Sequence, residues 1–302
     1  MPPDVSILTV TFGDHLAATR VGTGLEAVQR AGGDPLMEVV VVAVGPSGRE
    51  AADQLVERTL SASLQPAVVD VEAGAGFAQA ANAGLAKTSG DIVVVARPEV
   101  TFHQRFLRRV RSEAEEPWDL LAPAVREGEG GKTPGGVAKR ARTHRLVKVD
   151  DPPKQPARVS AGSGACLIIR RAALDRRLAA VGALFEDAYG TGSEDLDLFW
   201  WAERQGMVVR YVPTLYVGHA VGQELLGTAE DRRQAMANYR VTVWKHAADP
   251  RDWVGWALGE AAFVSEEVTI GGLSGLRRYA ASWSDSAKVA SSIKKRRGRL
   301  RG

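Results

Sequence analysis

Four short runs of β-branched residues, each followed by a helical stretch, constrain the fold of this chain more than any other feature. Val5-Ser6-Ile7-Leu8-Thr9-Val10-Thr11-Phe12 ends at Gly13-Asp14 and leads into a helical segment reaching Arg30. Glu38 to Val44 is valine and alanine after its first residue, and Ala51 to Leu60 reads as the next helix. Ala67 to Val71, a helix over Phe77 to Lys87, and Ile92 to Ala96 repeat the pattern. Strands without polar alternation, separated by helices, predict a mostly parallel sheet covered by helices on both faces. In such sheets ligands gather beyond the carboxyl ends of the strands, here Thr11 to Gly13, Ala43 to Pro46, Ala73 to Phe77 and Arg97 to Glu99.

After Leu121 the pattern changes. Glu127 to Gly136 is rich in glycine and charge, Asp150 to Pro156 holds three prolines, and between them Val137 to Val149 reads as a hairpin. A strand from Val159 to Arg170, a helix from Arg171, a helix ending near Gln205 and a strand from Met207 to Val217 complete the first region. From Ala229 onward the chain reads as helix, with Trp244, Trp253, Trp256, Leu258, Phe263 and Val264 available for an apolar face. The expected organisation is one main domain over residues 1–228 and a helical extension over 229–302, and 302 residues with 45% hydrophobic content suffice for a substantial core plus such an appendage.

Charge and cysteine narrow the setting. The net charge of +3 is concentrated at the end of the chain, where Lys288, Lys294, Lys295, Arg296, Arg297, Arg299 and Arg301 crowd together. Such a tail serves as a solubilising end or as an anchor on an anionic membrane surface. The absence of interleaved aromatic residues argues against nucleic acid as a partner. Cys166, the single cysteine, lies in the apolar run Ala165-Cys166-Leu167-Ile168-Ile169 and has no disulfide partner. With no apolar run near ~20 residues and no signal-peptide pattern at Met1, the expectation is a cytoplasmic protein, free or peripheral on the inner face of the cell membrane.

The most chemically loaded segment is Phe185 to Leu198, which sets Glu194, Asp195 and Asp197 within four residues, between a glycine turn and an apolar run. Ser193 is placed to cap the helix carrying Leu196 to Trp201, with Glu194 and Asp195 in its first turn, where the helix dipole favours negative charge. Capping accounts for one or two acids. Gly190 and Gly192 just before them keep the backbone open, as where a ligand approaches a helix start. Asp197, two residues along from Asp195, is expected to face away or to cap.

Several segments, in order, resemble family 2 glycosyltransferases of the GT-A fold, particularly the bacterial rhamnosyltransferase-like group. They are Val5 to Phe12, the stretch Gly74-Ala75-Gly76-Phe77-Ala78-Gln79-Ala80-Ala81-Asn82-Ala83-Gly84, Ser163 to Arg171, the acidic window Phe185 to Leu198, Gly218-His219, and Tyr239 to His246. The resemblance implies inverting transfer of a sugar from a nucleotide-diphosphate donor, a dTDP-rhamnose or a UDP-sugar, to a cell-envelope glycan or lipid-linked acceptor. It implies Asp195 as the base that takes the acceptor's proton, with Glu194 supporting it or touching the acceptor. It places Thr11, Phe12, Gly76, Phe77, Asn82, Arg97 and Glu99 at the donor. A divalent cation, manganese or magnesium, would be held by Glu99 and His219.

The chain departs from this pattern at the phosphate and nucleotide ends. Ala96-Arg97-Pro98-Glu99 keeps one acidic residue where relatives carry more, and Arg97 could meet the phosphates itself as a bidentate donor. His219 fits a metal ligand and a core histidine equally well. Gly13 and Ala43-Val44-Gly45 replace polar groups that relatives use for the nucleotide, leaving Asp70 and Glu72 as nearby handles. Two functions therefore stay open: an active glycosyltransferase, and a silent GT-A domain binding a nucleotide, a glycan or a partner. The helical extension also allows a homo-oligomer.

Overall fold

The computed structural model describes residues 4–32, 37–60, 65–127, 134–219 and 228–299. The amino-terminal alternation appears as β1 (Val5–Thr11), α1 (His15–Gly32), β2 (Met37–Val44), α2 (Gly45–Leu60), β3 (Ala67–Val71), α3 (Phe77–Leu85) and β4 (Ile92–Ala96). β5 (Val100–Phe102), α4 (Phe106–Ser112), β6 (Leu120–Glu127), β7 (Pro134–Gly135), β8 (Val137–Arg140) and β9 (Leu146–Lys148) follow. Next come β10 (Ala157–Val159), β11 (Ala161–Gly162), β12 (Cys166–Arg170), α5 (Arg171–Val181), a 3-10 turn over Asp187–Tyr189, α6 (Glu194–Arg204) and β13 (Val209–His219). α7 (Ala229–His246) and α8 (Pro250–Arg299) close the chain.

The main sheet runs β10-β13-β6-β12-β4-β1-β2-β3, with β5 on β13 and β7 on β6, and β11-β8-β9 form a small second sheet. β4, β1, β2 and β3 are parallel, as their apolar composition predicts, while β12 runs antiparallel between β4 and β6. Alternate residues of each strand feed two cores. Val94, Ala96, Cys166 and Ile168 pack with residues of α1, α2 and α4, whereas Val93, Val95, Leu167 and Ile169 pack with those of α3, α5 and α6. Burial pushes the Cys166 thiol pKa far up, as befits an inert core residue.

Three boundaries differ from expectation for local reasons. α2 starts at Gly45 rather than Ala51, because Gly45 takes φ +65° and Pro46 then enters with a φ suited to the first turn. The strand expected over Val159 to Arg170 breaks into β10, β11 and β12, split at Ser160 and by the Ser163-Gly164 turn. A Cβ on Gly162 would stand 2.7 Å from that of Ala122, so glycine is what lets this stretch lie against β6. The last strand extends to His219, pairing there with Val100 of β5.

The carboxyl-terminal helices are joined by buried charge. α8 is two helical arms broken at Gly272 (φ +53°), and Gly275 lets the second arm approach the carbonyl of Glu267. Arg240 of α7, fully buried, binds both carboxylate oxygens of Glu260 at 2.9 Å and donates to Ser282 Oγ at 2.6 Å, while Tyr279 donates to Glu260 at 2.8 Å. One guanidinium thus ties α7 to both arms. Among the described residues no helix is long and apolar enough to cross a membrane. Arg240→Ala leaves Glu260 buried without its cation, and we expect a stability loss of about 3–5 kcal/mol, read as a lower midpoint in urea unfolding.

Candidate active site

The acidic window is shaped by backbone before side chain. Gly190, Gly192 and Ser193 all take positive φ (62°, 93° and 66°), so the chain turns sharply into α6. Ser193 does not cap the helix as expected: in the left-handed conformation its side chain makes no cap hydrogen bond. The turn is instead held from two sides. From α3, the amides of Phe77 and Ala78 donate to Thr191 Oγ1 (3.3 Å) and to the Gly190 carbonyl (2.8 Å). From α7, Asn238 donates to the carbonyls of Tyr189, Thr191 and Gly192 at 2.8, 3.2 and 2.8 Å.

These bonds explain the glycine motif ahead of α3. A Cβ on Gly76 would collide with the backbone of Gly190, so the two loops touch only because position 76 is glycine, while Gly190 supplies the positive φ of the turn. Asn82, expected at the donor, spends its amide on this joint: Nδ2 donates to the Phe185 carbonyl (2.8 Å) and Asp187 Oδ1 (2.7 Å), and Oδ1 accepts from the Phe185 amide (3.2 Å). Phe77 is buried against Phe185, ring centroids 6.0 Å apart. Thr11 is buried, with its hydroxyl donating to the Gly48 carbonyl at 2.8 Å, while Phe12 beside it is exposed.

Asp197 neither faces away nor caps. It is fully buried, bound by Arg177, by Lys245 Nζ at 2.7 Å and by His246 Nε2 at 2.7 Å. Burial alone would raise its pKa, but Lys245, Arg177 and His246 reverse that and hold the carboxyl well below the usual carboxylate range. Lys245 also binds buried Glu186 at 2.8 Å. His246 itself is kept below its ordinary pKa by burial, against the pull of Asp197, and stacks with His144 on the two sides of Trp200. Sequence reasoning gave Arg177, Glu186, Asn238, Lys245 and His246 no role of their own, although Glu186 falls in the acidic window and Lys245 and His246 end the segment Tyr239 to His246.

Asp195 and Glu194 end up in different environments. Glu194 is 2% exposed; its Oε1 accepts from Arg97 Nη2, and its Oε2 has no hydrogen-bond partner among the described residues. Burial pushes its pKa up, with Asp195 adding to the rise and Arg97 opposing it. Asp195 is partly exposed and lies over Gly164, where a Cβ would stand 2.5 Å from Asp195 Oδ2. Arg97 leaves the end of β4 with its amide on the Ala165 carbonyl (2.9 Å) and its guanidinium 4.7 Å above the Phe77 ring. The two carboxylates, Arg97, Gly164 and the Gly76-Gly190 joint therefore meet beyond the carboxyl end of β4.

Glu99 and His219 are half-buried, and the pairing of His219 with Val100 brings the turn carrying Glu99 beside the end of β13. They offer one carboxylate and one imidazole, and among the described residues no three His, Cys, Asp or Glu side chains come together as a metal site. Two protein donors are fewer than a divalent cation takes, so Glu99 and His219 do not by themselves make such a site. Arg49 binds Asp70 at 3.0 Å and Asp53 at 2.9 Å at the nucleotide end, and Glu72 is exposed. The glycine- and charge-rich stretch Glu127 to Gly136 lies largely in residues 128–133, outside the described residues.

No family model matches the chain, and no curated protein matches it. Solved structures do. A mannosyltransferase from Pyrobaculum calidifontis, in complex with GDP-Man and Mn2+, aligns at TM-score 0.53 and 15% identity over 99% of this chain and 81% of its own. S. aureus TarS 1-349 in complex with UDP-GlcNAc aligns at TM-score 0.59 and 13% identity over 99% of this chain and 92% of its own. GalNAc-T7 with UDP, GalNAc and Mn2+ aligns at TM-score 0.62 and 14% identity over 92% of this chain, which spans about half of that longer protein, 54%. At such identity the similarity establishes the fold: this is an α/β protein of the GT-A type.

The Asp197 cluster has a defined pH signature. A depressed carboxyl stabilises the fold above its unfolded pKa, and that contribution is lost as pH falls below about 4. Asp197→Asn is expected to lose about 3–5 kcal/mol at pH 7 and to show a smaller further loss on acidification than the parent, checked by urea unfolding at pH 7 and pH 3.

Proposed function

We propose that the protein is an inverting glycosyltransferase, of the family 2 rhamnosyltransferase-like group, using a nucleotide-diphosphate sugar. The observation that carries this is the partly exposed Asp195 carboxylate, held in the first turn of α6 over Gly164, beside Arg97 at the strand ends where GT-A folds take their ligands. The solved neighbours in complex with GDP-Man, UDP or UDP-GlcNAc support it.

In the proposed reaction an acceptor hydroxyl lies against Asp195 and the donor's anomeric carbon faces that oxygen. The oxygen–carbon bond forms as the bond from the anomeric carbon to the diphosphate breaks, the proton passes to Asp195, and the nucleoside diphosphate leaves with the electron pair. Gly164 makes room for the Asp195 carboxylate itself. The glycine joint between Gly76 and Gly190 holds Asp195 at its distance from the donor, and Asn82 acts as a positioning residue through that joint. Phe77 acts under Arg97, and Thr11, Phe12, Arg97 and Glu99 border the donor. The acceptor is a cell-envelope glycan or a lipid-linked sugar, reached from the cytoplasmic face with the basic end of α8 near the anionic leaflet.

A second function, a silent domain that binds a nucleotide or partner, is favoured by one observation: the polar groups of Thr11 and Asn82 are spent on internal bonds rather than presented to a ligand. Replacing the base separates the two. Asp195→Asn is expected to lower transfer from a nucleotide-sugar panel by about 100- to 10,000-fold while donor affinity changes little. A parent protein with no turnover on any donor, yet normal nucleotide binding, would favour the silent domain.

A further inference from the structure

Glu194 is a carboxylate in a costly place. Its side chain is 2% exposed, Oε2 is buried without a partner, and the cation acting on it is Arg97. Arg97 is not spent on that pair. Its side chain is 27% exposed, its remaining guanidinium N–H groups make no hydrogen bond among the described residues, and the Phe77 ring supports it from one face. A guanidinium so placed offers a planar pair of donors to phosphate oxygens. Among the described residues, no three His, Cys, Asp or Glu side chains gather to hold a cation in its place.

We propose that Arg97 binds the donor's diphosphate in place of a divalent cation, and that Glu194 takes up a proton as Arg97 turns from it to the phosphates. This rests on the nucleotide-diphosphate donor proposed above. The physical reason is the charge balance around a buried group. The charges acting on Glu194 are Arg97 from the end of β4 and Asp195 from its own helix, with backbone amides of Gly192 and Glu194 as hydrogen-bond donors. The contacts from α3 and α7 to the turn just before it, residues 190–192, come from uncharged groups, Phe77, Ala78 and Asn238, while Lys245 and His246 of α7 are engaged by Asp197 further along α6. Once Arg97 engages a diphosphate, an ionised Glu194 would stand buried beside Asp195 and new phosphate charge with no cation of its own. Protonation removes that charge and turns an orphaned oxygen into a hydroxyl donor. Arg97→Glu194 is thus the resting pair, and Arg97→diphosphate with neutral Glu194 the loaded one.

The test is calorimetric titration of UDP, dTDP and GDP into the full chain with chelator present, in two buffers of different ionisation enthalpy. The expected result is binding of one nucleotide without metal, with uptake of up to one proton, so that affinity falls by up to about tenfold per pH unit between pH 6 and pH 8. Glu194→Gln, which keeps the shape and an acceptor for Arg97, should bind without proton uptake and with a flat pH profile. Arg97→Ala should weaken binding by about 30-fold or more, and added manganese should not restore it. Metal-dependent binding, binding by the parent with no proton uptake, or uptake unchanged in Glu194→Gln would each overturn the proposal while leaving the donor class intact. Failure of all three nucleotides with and without manganese would overturn the donor class and the proposal together.

Discussion

One buried anion organises the functional half of this molecule. Asp197 has no exposure and is surrounded by Arg177 of α5 and Lys245 and His246 of α7, so a single carboxylate draws three helices together. Taking these charges out of water is costly, and the cluster persists because every member has a partner of opposite sign or a directed hydrogen bond. Breaking it by one substitution leaves buried charge uncompensated. Asp195 stands two residues earlier, in the first turn of α6, so its position follows from that cluster.

A second layer of constraint is steric. Gly76 and Gly190 meet backbone to backbone, Gly164 makes room for the Asp195 carboxylate, and Asn82 and Asn238 clamp the same loop from opposite helices. None of these residues carries reactive chemistry in this arrangement. They hold two adjacent carboxylates in unlike environments, Glu194 buried against Arg97 and Asp195 open over Gly164. Neighbouring acids with separated environments can take different roles, which chain neighbours in a uniform setting cannot.

The carboxyl-terminal helices also serve the site. Leu196 and Trp200 of α6 pack with Met236, Tyr239 and Val243 of α7 and with Phe263 of α8. Arg240 with Glu260 braces those helices from behind, and Arg296 near the end of α8 donates to the Val181 carbonyl at 2.8 Å. The basic stretch at the end of the sequence is therefore partly structural: its first residues continue α8, and Arg296 reaches back to the segment leading into the acidic window.

The alternation of strands and helices along the chain and the glycine-flanked acidic window were legible in the sequence, because apolar periodicity and glycine placement are local properties of a chain. The approximate extents of β1, β2, β3 and β4 and the presence of Asp195 and Glu194 at a helix start follow from those patterns. The roles of Asn82 and Asp197 were not legible. Asn82 sits in a donor-like motif yet bonds residues more than a hundred positions away, and Asp197 finds its cations on α5 and α7. The Ser193 cap failed for a related reason, since bonds from α3 and α7 hold the turn that a local cap would otherwise have set. The sequence by itself determined the layered α/β architecture and which residues could carry chemistry. Only the tertiary structure decided which acid is buried, which is open and which is structural, because those outcomes depend on desolvation and on partners that meet only when distant segments pack.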